Sequence, residues 1–259
     1  MTSPITLPLS VILIAKDEEA DLPSCLESLT TLAGAELIVV DSGSTDRTRE
    51  LAEARGARVL RRGFDDYASQ RQASLDAATR VWALWIDPDE RMTPALAEEI
   101  AALVRAAPRE AGFEIPFRVE FLGRVLRHGA PGRERHLRLF RRDAARFIGG
   151  GLHEGVEIDG RVGRLRGPIR HIPYRDLDEY LEKFGRYTTL AARKRLEAGT
   201  RWTPLYHLLP LWELWVNLCW RLGLLDGTAG VVWAGLASFH TWVKYVKLRQ
   251  MQEEDRADA

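Results

Sequence analysis

The chain has 259 residues, 46% of them hydrophobic, enough to bury one large domain or a domain with an appendage. Its 37 basic and 37 acidic side chains cancel, so no global field draws it to nucleic acid and any preference for anions must be local. Cys25 and Cys219 lie too far apart in sequence to suggest a disulfide framework, and the opening MTSPITLPLS has neither the basic nor the apolar region of a secretory signal, so a cytoplasmic location is expected.

In chain order, LPLSVILIA (residues 7–15) reads as a strand. A helix follows, with Leu22, Cys25, Leu26, Leu29 and Leu32 at helical spacing. AELIVVD is a second strand, SGSTD a loop, and TRELAEARGA a helix with Asp46 or Thr45 as N-cap. ARVLRR, DYASQRQASLDAAT and VWALWID add a strand, a helix and a strand. Such alternation predicts a parallel sheet wound with crossover helices, in which ligands bind at the carboxyl ends of the strands. Asp17, Asp41 and Asp87 all follow such ends.

Two of these ends carry chemistry. Asp41 closes a buried strand, and Ser42 and Gly43 begin a tight loop into a helix start, where free amides favour an anion and a carboxylate can accept from a base or ribose. The plainer reading is that Asp41 and Asp46 only cap the turn. In VWALWIDPDERM, a run built for burial ends in Asp87, Asp89 and Glu90, carboxylates that repel unless something positive offsets them. Asp87 and Asp89, with Pro88 stiffening the turn, can present oxygen to Mg2+ or Mn2+, although a solvated turn before the helix TPALAEEIAALV accounts for the same residues.

After DPDER, PREAGFEIPFRVEFLGRVLRHG and the arginine-rich stretch up to RHIPY read as a mixed or antiparallel half. Arg138 and Arg141 are candidates for a phosphate-bearing or acidic acceptor, against local pairing with acids. In GGGLHEGVE, Gly149 to Gly151 allow close backbone approach, and His153 and Glu154 follow on a rim. His171 reads as a core histidine at a strand end. An amphipathic helix, DLDEYLEKFGRYTTLAARKRLEAG, leads to a segment holding six of the eight tryptophans. Its two apolar parts are broken by Pro210, Glu213, Asn217, Gly223, Asp226 and Gly227, which fits helices lying in a membrane interface, packed on the rest of the chain, or forming a homodimer. MQEEDRADA reads as a disordered tail.

The order and spacing of SVILIAKDEEADLPSCLESL, ELIVVDSGSTDRTRELAEARGARV and DYASQRQASLDAATRVWALWIDPDERMTPAL resemble family 2 glycosyltransferases, over residues 8 to about 190. The nearest likeness is to the branch that includes lipopolysaccharide-core glucosyltransferases. The resemblance implies an α/β GT-A fold, a Rossmann-like mixed sheet flanked by helices, with a C-terminal helical extension. Its domains would be 1–195 (nucleotide-sugar half about 1–108, acceptor half about 109–175), an aromatic helical region 196–250 and a tail 251–259. It implies a nucleotide-sugar donor contacted by Lys16, Asp17, Glu18, Asp41 and Arg71, and Mg2+ or Mn2+ held by Asp87 and Asp89. Inverting transfer needs a general base, for which Glu154 is the candidate; His153 would bind the metal or diphosphate, or orient Glu154. The implied reaction moves a hexose, glucose from UDP-glucose, onto a lipopolysaccharide-core or related envelope saccharide at the cytoplasmic face of the inner membrane. Alternatives are transfer to a polyprenyl phosphate or capsule chain, and a non-catalytic nucleotide-sugar-binding scaffold. Asp17 stands at the family's usual asparagine, and Gln72 at another.

Overall fold

The computed structural model describes residues 6–149 and 155–257, without the side chains of Arg133 and Ala257. Its regular elements are β1 (Leu9–Ala15), α1 (Leu22–Ser28), β2 (Glu36–Asp41), α2 (Thr48–Ala54), β3 (Arg58–Arg61), α3 (Tyr67–Ala77), β4 (Trp82–Trp85), β5 (Glu90–Met92), α4 (Pro94–Ala106), β6 (Gly112–Phe121), β7 (Arg124–Val125), β8 (Arg135–Arg141), β9 (Ala145–Ile148), β10 (Gly155–Ile158), β11 (Val162–Arg164), β12 (Ile169–His171), α5 (Leu177–Glu197), α6 (Leu209–Trp215) and α7 (Gly227–Ala257). The chain forms two compact units, Met1–Phe117 with Arg135–His171, and Arg118–Glu134 with Ile172–Ala259.

In the first unit, β3, β2, β1 and β4 are parallel neighbours in that order, as the strand and helix alternation predicts. β1 is apolar on both faces because both are covered. Val11 and Leu13 join Leu22, Cys25 and Leu26 of α1 in one cluster, while Ile12 joins Leu75 of α3 and Phe140 in another. Beyond β4 the sheet becomes antiparallel. β8 pairs with β4 (Ala83 opposite Phe140) and with β6, and β12 and β5 complete the order. β12 runs antiparallel to β5, with His171 opposite Glu90. β9 and β10 form a separate antiparallel pair in which Gly155 stands opposite Ile148.

α3 is started by Asp66, whose side chain accepts the Ser69 amide at 2.9 Å. Gly149 lies directly on that first turn: a Cβ there would sit 2.5 Å from the Ala68 Cβ, so the close approach expected of this glycine is real. Gly150 and Gly151 lie outside the described residues.

In the second unit, β7 pairs with the end of β6, and Val119, Phe121 and Leu126 pack on Ala229 and Trp233 of α7. α5 packs on the same helix through Tyr180, whose hydroxyl donates to the Leu236 carbonyl, and Phe184, stacked on Phe239. The tail expected to be disordered is helical to Ala257. Pairs Arg249–Glu253 and Gln250–Glu254 lace its surface, and Gln252 binds the backbone of Thr200 and Trp202, which ties the last turns to a neighbouring segment. Among the described residues no single helix is long and apolar enough to cross a membrane; Pro204–Trp220 and Gly223–Arg256 meet that test only together, as a pair bent by 71°.

The Gly149 contact makes a stability prediction. Gly149→Ala should cost about 1 to 3 kcal/mol through overpacking, measured by urea unfolding. Ala68→Gly added to that variant should recover part of the loss; equal or greater loss in the double variant would show that the contact is not the cause.

Candidate active site

The turn after β4 answers the charge problem posed by its sequence. Pro88 occupies the second position of a tight turn: the Glu90 amide donates to the Asp87 carbonyl, and the Asp87 amide donates to Glu90 Oε2, both at 3.0 Å. The positive partners come from the protein. Arg138, on β8, is 6% exposed and donates through Nη2 to Asp87 Oδ2 at 3.1 Å and to Glu90 Oε1. Arg71, on α3, brings Nη2 to 3.9 Å from Asp87 Oδ1, which also accepts the Trp85 indole N–H at 3.0 Å. Both guanidiniums lie against the Trp85 ring, Arg138 at 3.8 Å and Arg71 at 4.3 Å from its centroid. Arg91 grips the turn from outside through the Pro88 carbonyl at 2.6 Å and Asp21 at 3.2 Å.

These contacts decide the charges. Burial raises the cost of ionising Asp87, but Arg138, Arg71 and the Trp85 N–H outweigh it and hold its carboxyl below the usual range. Glu90 lies deeper, and burial, with Asp87 and Asp89 adjacent, pushes it up to about 8 even with Arg138 against it. Asp89 is the most open of the three, and its Oδ2 lies 3.2 Å from His171 Nε2. Burial would lower the His171 pKa; the hydrogen bond and the charge of Asp89, with Glu90 behind it, raise it instead.

At the ends of β1 and β2, two loops are laced together. Asp17, with φ of 55°, donates its amide to Ser44 Oγ and accepts the Thr45 amide at 2.7 Å. The Glu18 amide binds Thr48 Oγ1, the Glu19 amide binds Asp46, and Glu19 accepts the Arg47 amide. Asp41 is 1% exposed and accepts from the amides of Gly43 and Ser44, with Arg49 3.8 Å away. Asp46 accepts the Thr48 amide. This corrects the expectation of free amides after β2. Ser42 N–H donates to the Ala15 carbonyl, Gly43 N–H donates to Asp41, and the following amides go to nearby carboxylates, so the loop is a rigid wall rather than an anion cradle. Lys16 stands exposed at the end of β1.

Arg138 belongs to the carboxylate cluster, whereas Arg141 does not share its surroundings. Three residues along β8, Arg141 pairs with Trp82 at the opposite end of β4, donates to the Pro108 carbonyl at 2.9 Å and lies over the Trp82 ring, which corrects its assignment as a companion of Arg138 in one acceptor site. Gln72 accepts the Phe147 amide at 2.9 Å, so it ties α3 to β9. His153 and Glu154 lie outside the described residues. His171, to which sequence reasoning assigns no role, is the addition; the signal that finds it is the register of β12 on β5, which only the fold supplies.

The donors suit a hard divalent cation in kind: two carboxylates and an imidazole. Among the described residues, however, no three His, Cys, Asp or Glu side chains form a complete metal cage. Both Asp87 oxygens are engaged by Trp85 and basic groups, leaving Asp89 and His171 as the readier pair. Such a partial set fits an ion whose remaining ligands are phosphate oxygens and water.

Two outcomes follow. Arg138→Met should lower the unfolding free energy by about 3 to 5 kcal/mol, because it strands buried carboxylates, whereas Arg141→Met should cost about 1 kcal/mol, the loss of one hydrogen bond; equal effects in urea melts would refute the distinction. In chelator, the His171 resonance should titrate above the ordinary histidine value of about 6.5 and fall in Asp89→Asn. Because the folded pKa is the raised one, the stabilisation is complete below the unfolded value and is lost as pH climbs through the folded one. The thermal advantage of the wild type over Asp89→Asn should therefore shrink on going alkaline.

The chain's relatives can now be set beside this geometry. The sequence profile of Glycosyl transferase family 2 matches residues 10–153. The lipopolysaccharide core biosynthesis glycosyltransferase LpsC of Rhizobium meliloti is 33% identical over 249 residues, which cover 90% of this chain and 91% of that protein. An uncharacterized glycosyltransferase of Rickettsia typhi is 23% identical over 260 residues, covering 96% of this chain and 89% of the relative. Among solved structures, the mannosyltransferase PcManGT of Pyrobaculum calidifontis, in complex with GDP-Man and Mn2+, superposes with a TM-score of 0.57 at 14% identity, covering 95% of this chain and 89% of that one. That likeness shows the fold, which is GT-A. With the family profile running from β1 through β9 and the relative LpsC matched along nearly its whole length, the chain is a family 2 glycosyltransferase.

Proposed function

We propose that the protein transfers a hexose, glucose from UDP-glucose, with inversion onto a saccharide of the lipopolysaccharide core or a related envelope glycan. The observation that carries this reading is the cluster at the carboxyl end of β4, where Asp87, Asp89 and His171 stand beside Arg138 and Arg71. It is the arrangement needed to hold a diphosphate leaving group. The named relative LpsC, matched along nearly its whole length, supports the acceptor class.

Asp89 and His171, with Asp87 beside them, would hold a divalent cation, which supplies positive charge to the departing diphosphate. Arg71, stacked on Trp85 and close to Asp87, is positioned to donate to the same phosphates. Asp17 and Asp41 fix the loops that wall the nucleotide pocket, with Lys16, Glu18, Ser42 and Gly43 along that wall. Glu154 takes the proton from the acceptor hydroxyl as its oxygen attacks the anomeric carbon and the bond from that carbon to the diphosphate breaks. His153 orients Glu154 or contacts the diphosphate. Gly149, five residues before Glu154 in sequence, lies against Ala68, one turn before Arg71 on α3.

Calorimetry with UDP-, GDP-, ADP- and dTDP-sugars, with divalent metal and with chelator, tests the reading. UDP-glucose should bind with metal and lose at least tenfold in affinity with chelator or in Asp89→Ala. Glu154→Gln should keep donor binding while abolishing transfer. Absence of binding to any donor with metal present would overturn the catalytic reading and favour a scaffold.

A further inference from the structure

The second unit carries an apolar surface to which the proposed transfer assigns no role. Leu205, Leu211, Trp212 and Trp220 are 70%, 65%, 62% and 72% exposed, all within the short stretch that contains α6. Leu222, Leu224 and Leu225 continue the surface around the following turn, each more than half exposed. Isolated exposed leucines need no explanation, but a contiguous apolar run with adjacent indoles does. Trp212 and Trp215 stack with centroids 5.2 Å apart, and with Trp220 and Arg221 they line an open groove of about 460 Å3.

The backbone is bent to present this surface. At the end of α6 the helix widens, with the Arg221 amide donating to the Val216 carbonyl at 2.8 Å. The chain then reverses at Leu222, with φ of 60°, an unfavourable value for leucine. Gly223 is required next, because a Cβ there would lie 2.5 Å from the Asn217 carbonyl oxygen. The resulting pair of helices is bent by 71°. Neither member can span a bilayer, but an amphipathic pair with indoles on one side can lie along one.

Charge selects the occupant. Arg124 comes to this turn beside Gly227, where a Cβ would meet its Nη1 at 2.8 Å. Arg127 is tied to the same place, since its amide and that of His128 donate to Asp226. Asp226 is itself 5% exposed and also engages His128 Nδ1 at 2.9 Å, so its charge is turned inward. Arg124 and Arg221 therefore set positive charge beside the apolar surface, with Arg127 exposed in the same segment as Arg124, while the acids of residues 201–227, Glu213 and Asp226, are half-buried and buried. A two-fold dimer through this face would bring two copies of this cationic edge into one interface, whereas anionic headgroups complement it.

We propose that this surface docks on a lipid bilayer, with the indoles at headgroup depth and Arg124, Arg127 and Arg221 on the phosphates of anionic lipids. Vesicle binding tests this without nucleotide or acceptor, so its failure would leave the transferase reading untouched. The full chain should co-sediment with phosphatidylcholine vesicles containing phosphatidylglycerol, and brominated lipid should quench its indole emission. Trp212→Ser/Trp215→Ser/Trp220→Ser should weaken partitioning at least tenfold with an unchanged far-ultraviolet circular dichroism spectrum, and Trp220→Ser alone should weaken it several-fold. Arg124→Glu/Arg221→Glu should remove the preference for phosphatidylglycerol. Wild-type partitioning no greater than that of the triple variant, or no quenching by brominated lipid, would overturn the proposal. So would a wild-type dimer that ignores vesicles and becomes monomeric in the triple variant.

Discussion

The Arg138 guanidinium, stacked on Trp85 and hydrogen-bonded to two carboxylates, is the interaction on which the rest of the site depends. Three acidic side chains crowd one turn, and one of them, Glu90, is 1% exposed. Without a cation inside the protein, Asp87 could not stay ionised there. An arginine meets the need better than a lysine would, because its flat face packs on an indole while its edge serves more than one oxygen. Its delivery depends on the pairing of β8 with β4, where Leu139 stands opposite Leu84 and brings Arg138 to the end of the strand.

Around that fixed charge, rigidity comes from short polar side chains closing loops on one another. The two loops after β1 and β2 exchange bonds in both directions, amide to side chain each way. Asp17 accepts a left-handed conformation as part of that lattice. An asparagine would adopt this conformation more readily, but the carboxylate gives a stronger bond to the Thr45 amide. The loops thus form a preset wall next to the turn that bears Asp87, Pro88 and Asp89. A pocket whose walls already stand in place does not have to order them on binding.

Much of this was legible from residue order. The parallel order of the first four strands follows from alternating apolar runs and helical spacing, and the need for positive charge near Asp87, Asp89 and Glu90 follows from Coulomb repulsion alone. What could not be read is which cation answers it, because Arg138 lies 51 residues beyond Asp87 and becomes its neighbour only through the pairing of β8 with β4. His171 is hidden for the same reason, 82 residues from Asp89. The free amides expected after β2 failed for a local reason: the same short acids that signal helix starts also consume the N–H groups that an anion would need. The helical tail was missed because its polar composition is equally that of a solvated helix, and the contacts of Gln252 with Thr200 and Trp202 are tertiary.

The proton on His171 decides what the Asp89 and His171 pair can offer. When the imidazole is protonated, its N–H is spent on the Asp89 carboxylate and neither group has a lone pair free in that direction. When it is neutral with its proton on Nδ1, the same two atoms are adjacent oxygen and nitrogen donors. A divalent cation held as proposed by Asp89 and His171 would therefore compete with that proton, and its affinity would rise with pH through the His171 titration. Asp87 takes no part in that exchange, since Arg138 and Arg71 keep it ionised in either state. One carboxylate is thus locked to the protein's own arginines while the other is left to respond to what arrives, a division of labour that two acids separated only by Pro88 could not achieve without the buried arginine between β8 and the turn.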